Sequence, residues 1–237
     1  MKTPLVIAHR GDSSNALENS LESIRRALSH PVDMIELDIR KSRDNILYIM
    51  HDKLTGRTAE KNIDIEHAAS EAINQLRLKN GEPVPTLTDV LKTVAGSSGL
   101  NLELKSDGAG VLTARHLALS GYTGSVLLSS FKEDEVRAAR RILPSVQTSV
   151  IFDVFTARNV PKYKARGYSI ISLRYKTVSE ALLSACHEQG IQVYVWTVDD
   201  EDEMRKYIEW GVDGIYSNKP GVLKELLRNA DFIPHSR

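Results

Sequence analysis

Short apolar runs rich in β-branched residues recur along this chain, and a stretch with helical spacing follows most of them. The runs are Leu5–His9, Met34–Ile39, Leu100–Lys105, Val126–Ser130, Thr148–Phe152, Ile170–Leu173, Gln192–Val198 and Gly214–Ser217. Helical periodicity lies near 18–29, 86–95, 110–120, 133–142, 157–166, 178–189, 200–210 and 221–229. Eight strands with helices between them predict an α/β fold of the (β/α)8, or TIM-barrel, type. The 237 residues suit one such domain spanning 1–237. An open doubly wound sheet would be expected to carry a Gly-rich phosphate loop after its first strand. Neither Gly11 nor Gly108-Ala109-Gly110 makes that fingerprint.

One segment breaks the alternation. Ile46–Met50 is a further strand-like run, separated from Met34–Ile39 by the turn-prone Ser42-Arg43-Asp44-Asn45. It predicts an antiparallel extension that leaves the barrel and returns to its rim. Polar sequence then continues to Pro83 and Pro85, with a short helix expected at 66–76, so an insertion of about 44–85 follows the second strand. Long insertions in a barrel usually shape the substrate mouth.

Composition narrows the function classes. Lys+Arg and Asp+Glu both total 31, for a formal net charge of zero, so no global field draws the protein to nucleic acid or an anionic membrane. No apolar run approaches the roughly 20 residues of a membrane span, and no leader-like segment precedes the first strand. Stable membrane association is not expected, and the expected compartment is the cytoplasm. Cys186 is the one cysteine; it sits on an apolar helix face and reads as a buried small hydrophobe. Oligomeric state leaves no mark on the sequence.

Chemistry enters through polar residues late in apolar strands. Residues i and i+2 of a strand share a face, so Glu36 points with Asp38, and Glu103 with Lys105. Barrel enzymes place catalytic groups at these strand ends. Burying two like charges together is expensive unless a cation neutralises them. Three carboxylates converging from two strands offer hard oxygen ligands, which suit Mg2+ or Ca2+ better than zinc. Lys105 has two readings, as the partner of Glu103 or as a phosphate contact. Arg10, before Gly11, offers a planar fork that also suits a phosphate. His9 and His51 each end an apolar run beside this cluster and are the candidate general acid and base. Trp196 and Phe131 fit either barrel core or the apolar wall of a substrate cleft. His30, His67, His116, His187 and His235 are assigned no role.

Several of these residues fall in ordered motifs. They are His9-Arg10-Gly11, Leu17-Glu18-Asn19-Ser20, Ile35-Glu36-Leu37-Asp38, His51-Asp52 with Leu54 and Arg57-Thr58, and Asn101-Leu102-Glu103-Leu104-Lys105. Ser129-Ser130-Phe131, Val195-Trp196-Thr197-Val198 and Asp213-Gly214-Ile215 follow. The ordered set resembles the cytoplasmic-type glycerophosphodiester phosphodiesterase family, of the phospholipase-C-like phosphodiesterase superfamily, from residue 5 to about 222.

The resemblance implies a TIM barrel, a divalent cation, and hydrolysis of glycerophosphodiesters to sn-glycerol 3-phosphate and an alcohol. It implies Glu36, Asp38 and Glu103 as metal ligands and His9 and His51 as the acid/base pair. Arg10 and Lys105 match phosphate-contacting positions, Glu18 and Asn19 an acidic-Asn motif near the metal, and Trp196 a substrate-side aromatic. The chain departs from the family pattern at three positions. Leu17 replaces a typical proline, Asp199 stands where asparagine is common, and Asn218 where aspartate is frequent. Two rivals remain: a lysophospholipase D acting on monoacylated glycerophospholipids, and a barrel that binds a phosphorylated ligand without hydrolysing it.

Overall fold

The strands in chain order are β1 (Leu5–His9), β2 (Met34–Lys41), β3 (Leu47–Ile49), β4 (Gly99–Leu104), β5 (Val126–Ser130), β6 (Gln147–Phe152), β7 (Ile170–Arg174), β8 (Gln192–Trp196) and β9 (Gly214–Ser217). In this computed structural model, which describes residues 3–230, β1 pairs in parallel with both β2 and β9. That double pairing closes an eight-stranded parallel barrel from all strands except β3. The expected (β/α)8 TIM barrel is therefore the observed fold. β3 lies antiparallel on β2, with Ile39 opposite Ile49 and Lys41 opposite Leu47. The predicted extension returns to the rim there, where the Met50 N–H donates to the Asp38 carbonyl at 2.9 Å.

Helices cover the outside: α1 (Leu21–Leu28), α2 (Ser70–Asn74), α3 (Leu87–Val94), α4 (Ala109–Ser120), α5 (Glu133–Ile142), α6 (Val160–Ala165), α7 (Glu180–Glu188), α8 (Glu201–Trp210) and α9 (Pro220–Ala230). Several are shorter than their periodicity predicts, and two of these have a visible local cause. The helix expected at 66–76 spans only Ser70–Asn74, because Arg77 and Leu78 pair as short bridges with Pro83 and Ala59 and draw the chain into an extended path. The stretch 157–166 begins as a 3-10 turn, and α6 starts at Val160, where Pro161 falls in the first turn and needs no intrahelical donor.

Strand alternation separates two apolar layers. Val6, Ala8, Ile35, Leu37, Leu100 and Leu102 face outward and pack on helix residues such as Ile24, Ala27, Val90 and Val136. Ile7, Met34, Leu127, Ile170, Tyr194 and Tyr216 face inward and fill the barrel's lower half. Above them lies a polar layer. The Asn101 amide donates to the Tyr216 hydroxyl at 3.0 Å, Tyr216 lies 3.2 Å from Ser172, and Ser172 lies 3.0 Å from Ser149. This layer is the floor on which the strand-end residues stand.

The insertion carries its own small core of Tyr48, Met50, Ala59, Ile65, Ile73, Leu76, Leu78 and Val84. Cys186 is fully buried, and burial, helped by Asp213, pushes its thiol up to about 11, so it packs as a hydrophobe. Among the described residues no helix is long and apolar enough to cross a membrane. His235 lies outside the described residues.

Candidate active site

Glu36, Asp38 and Glu103 meet as their alternation requires. One oxygen from each lies within 4.8 Å of the others. Glu36 and Asp38 are 3% and 0% exposed, and Glu103 is half-buried at the cavity. Burial, then the charges of Asp38 and Glu103, pushes Glu36 well above the usual carboxylate range. Burial and Asp38 push Glu103 up to about 7. Asp38 goes the other way: burial raises it, but Arg10, Lys105 and His51 together outweigh that and hold it at about 2. Glu36 Oε1 and Asp38 Oδ1 are buried and accept no hydrogen bond among the described residues. Three crowded carboxylates, two of them with an oxygen that accepts no hydrogen bond, make a donor set that a divalent cation fits.

Backbone geometry aims the surrounding groups. Arg10 has φ 57°, a left-handed conformation uncommon for arginine. It is held there because its N–H donates to Glu36 Oε2 at 2.9 Å and its carbonyl accepts from Asn19 N–H and Ser23 Oγ–H. Gly11 follows at φ 83°, where a Cβ would lie 2.4 Å from Ser23 Oγ, so the turn against α1 admits only glycine. The Arg10 guanidinium lies 3.2 Å from Asp38 Oδ2 and 2.9 Å from Glu18 Oε1. Asn19, also at φ 57°, clamps Asp38 from both sides: its Nδ2 donates to Oδ2 at 2.8 Å and its Oδ1 accepts the Asp38 N–H at 3.2 Å.

Lys105 Nζ donates to Glu103 Oε1 at 2.7 Å and lies 3.4 Å from Asp38 Oδ1. Lys105 is thus the partner of Glu103, and its side chain also lines the central cavity. Glu18 does not join the carboxylate cluster. It bridges Arg10 to Arg57, whose two terminal nitrogens each lie 2.7 Å from a Glu18 oxygen. Arg57 also donates to Asp52, and Asp52 lies 2.6 Å from His51 Nδ1. Charge thus alternates from Asp52 through Arg57, Glu18 and Arg10 to Asp38, with the His51 ring on Asp52 at the outer end.

The two candidate histidines differ in surroundings. His9 ends β1; burial, and then Arg10, pull it down to about 4, and its Nδ1 faces Asn218 Oδ1 at 2.8 Å. His51 is lowered chiefly by burial, although Asp38 and its Asp52 partner act against that. Arg40 fastens it by donating to the His51 carbonyl at 2.8 Å and pairing with Glu66.

A cavity of about 170 Å³ opens among His9, Arg10, Glu36, His51, Glu103 and Lys105, with Phe131 and Trp196 along one side. Those rings meet edge to face at 5.5 Å, and Phe131 is 45% exposed, so both aromatics line the mouth and neither is sealed in barrel core. The buried Trp196 indole N–H has no hydrogen-bond partner among the described residues. Asn101, Ser172 and Tyr216 also line this cavity; Asn101 stood in a sequence motif without a role, and Ser172 and Tyr216 carried no signal in the sequence. Asn101 shares a face with Glu103 by the same alternation, which was the signal available for it. His30, His67, His116 and His187 stay outside the cavity lining. Two of the three sequence departures, Asp199 and Asn218, face each other across the loops after β8 and β9.

A parallel barrel whose C-terminal mouth gathers three carboxylates, two fixed cations and two imidazoles has the architecture of a phosphate-handling enzyme. The chain belongs to the glycerophosphoryl diester phosphodiesterase family, whose model matches residues 9–222. It is 30% identical, over 96% of its length and 99% of the relative's, to a glycerophosphodiester phosphodiesterase of Caldanaerobacter subterraneus subsp. tengcongensis. A glycerophosphodiester phosphodiesterase structure from Parabacteroides distasonis superposes with a TM-score of 0.85 at 26% identity, covering 97% of this chain and 98% of that one. A phosphodiesterase from Oleispira antarctica, in complex with the product sn-glycerol-3-phosphate, shares the fold with a TM-score of 0.88 at 24% identity, covering 95% and 97%.

Proposed function

We propose that this protein hydrolyses glycerophosphodiesters to sn-glycerol 3-phosphate and an alcohol, with Mg2+ or Ca2+ held by Glu36, Asp38 and Glu103. The observation that carries the reading is the convergence of Glu36, Glu103, Arg10, Lys105, His9 and His51 on one small cavity, with Asp38 clustered behind them. When bound, the cation supplies charge neutralisation for the diester and for the oxygen on which charge develops. Arg10 and Lys105 bring fixed positive charge to the same oxygens. Phe131 and Trp196 wall the side of the mouth where the glycerol or alcohol portion lies.

His9 is the better base. Burial, and a neutral amide in place of a carboxylate on its Nδ1, keep its ring uncharged and able to accept a proton. His51 is the better acid, because the Asp52 carboxylate on its Nδ1 stabilises the imidazolium form. The nucleophile is water or the substrate's adjacent glycerol hydroxyl. Trapping of a cyclic phosphate would identify the second route. Glu18 and Asn19 act one step back, by holding Arg10 and Asp38. We treat 1–237 as one catalytic domain with its mouth partly built by the insertion.

Substrate choice is tested by comparing deacylated with monoacylated diesters. The insertion presents Arg57, Glu60, Lys61, Asp64 and Glu66, which make a poor berth for an acyl chain. Deacylated diesters are expected to give the higher kcat/KM, with glycerol 3-phosphate as product. A preference for monoacylated substrates would favour the lysophospholipase D reading, and binding without turnover the ligand-binding one.

A further inference from the structure

We propose that Asp199 and Asn218 form a positioning pair that locks His9 in one ring tautomer, with its Nε2 lone pair turned to the cavity. Asn218 stands between two groups whose chemistry fixes the direction of its amide. Its Nδ2 lies 2.6 Å from Asp199 Oδ2, and its Oδ1 lies 2.8 Å from His9 Nδ1 and 2.7 Å from Ser13 Oγ. A flipped amide would set its oxygen against a carboxylate oxygen at 2.6 Å, two acceptors with no proton between them. The nitrogen must therefore face Asp199, and the oxygen must face His9.

An amide oxygen only accepts, so the proton of the neutral imidazole sits on Nδ1. Nε2 is left with a lone pair on the ring edge that faces the site, where it lies 3.9 Å from Glu36 Oε2. Asp199 is itself held: its Oδ1 accepts the Asn218 N–H at 2.7 Å and the Ser217 hydroxyl at 3.0 Å. The orienting chain thus runs Asp199 to Asn218 to His9, and it joins the loops after β8 and β9 to the end of β1. Neither Asp199 nor Asn218 is among the residues lining the cavity, so they act only through the imidazole. The opposite tautomer would put a proton on the nitrogen that must accept one.

This inference rests on the base role proposed for His9, and reciprocal exchange tests it. N218D sets two carboxylates face to face, and N218A removes the partner of Nδ1. Each is expected to lower kcat by about 10–100-fold with KM little changed, the range seen when an orienting hydrogen bond behind an active group is lost. The double exchange D199N/N218D restores one donor facing one acceptor and keeps an acceptor on His9 Nδ1, so it is expected to recover part of the lost kcat, with the activity profile moved to higher pH because a carboxylate now faces the ring. A general packing defect would not be repaired by exchanging the two groups.

Two-bond 1H–15N correlation spectra of histidine-labelled protein read the tautomer directly. Wild type is expected to show His9 protonated at Nδ1, and N218A to show mixed tautomers. A double variant that folds but turns over no better than N218D would overturn the proposal, and so would a wild-type His9 protonated at Nε2. If wild type fails to hydrolyse glycerophosphodiesters while its tautomer is as expected, the proposed function fails and the positioning pair stands.

Discussion

Replacing His9 or His51 by alanine is expected to lower turnover of glycerophosphodiesters by about 10²–10⁴-fold, the usual range for loss of a positioned acid or base. The loss belongs in kcat more than in KM, because the ground-state contacts proposed for the diester, Arg10, Lys105 and the cation at the carboxylate cluster, remain. The pair works as a unit, so the double variant is expected to fall well short of the product of the single losses. His9→Ala also leaves the Asn218 amide oxygen with Ser13 alone as a partner, so its fold is checked by circular dichroism before its kinetics are read. Steady-state release of glycerol 3-phosphate measures the effect. Near-normal turnover in either folded single variant would remove that histidine from the mechanism.

The second large effect separates activity from stability. Glu36→Gln is expected to abolish activity supported by a divalent cation while leaving the metal-free protein as stable as before, or more so. Glu36 is pushed well above its ordinary range by burial and by Asp38 and Glu103, so its ionised form opposes folding unless a cation is present. Asp38→Asn is expected to lose activity and stability together, because Arg10, Lys105 and Asn19 all grip that carboxylate in its charged form.

The same electrostatics fixes a pH dependence. Glu103, raised to about 7 from an ordinary 4.5, binds its proton more tightly when folded. The stability it contributes is therefore present below about 4.5 and is lost as pH rises through about 7 in metal-free protein. Thermal melts of wild type, E36Q and D38N, with and without a chelator, report all of this. An E36Q protein much less stable than wild type without metal would contradict the assigned strain.

The barrel was legible because its strands are short apolar runs broken by polar turns. Their alternation also placed Glu36 beside Asp38 and Glu103 beside Lys105. His51 could be placed as well, since the Ser42–Asn45 turn permits only a short antiparallel return onto β2. Contacts between distant loops were not legible. Asp199 and Asn218 each registered as a departure from a pattern, but periodicity along β8 and β9 says nothing about two loops meeting beyond them. The route from Glu18 through Arg57 to Asp52 has the same character, because it joins the loop after β1 to the insertion. Arg10's left-handed backbone was equally hidden, since it results from hydrogen bonds to Glu36, Asn19 and Ser23. The helix expected at 66–76 was overstated because the chain on either side of it, at Asp64 and at Arg77-Leu78, pairs with Leu54, Pro83 and Ala59, contacts that only the folded insertion supplies.

The central claim is that three strand-end carboxylates load a divalent cation for cleavage of a glycerophosphodiester beside His9 and His51. Its most direct test is the release of glycerol 3-phosphate by chelator-stripped protein, before and after Mg2+ or Ca2+ is returned. The account predicts negligible release from stripped wild type, recovery on adding one of these ions, and no recovery in E36Q. Full release from stripped protein, or equal recovery in E36Q, would contradict it.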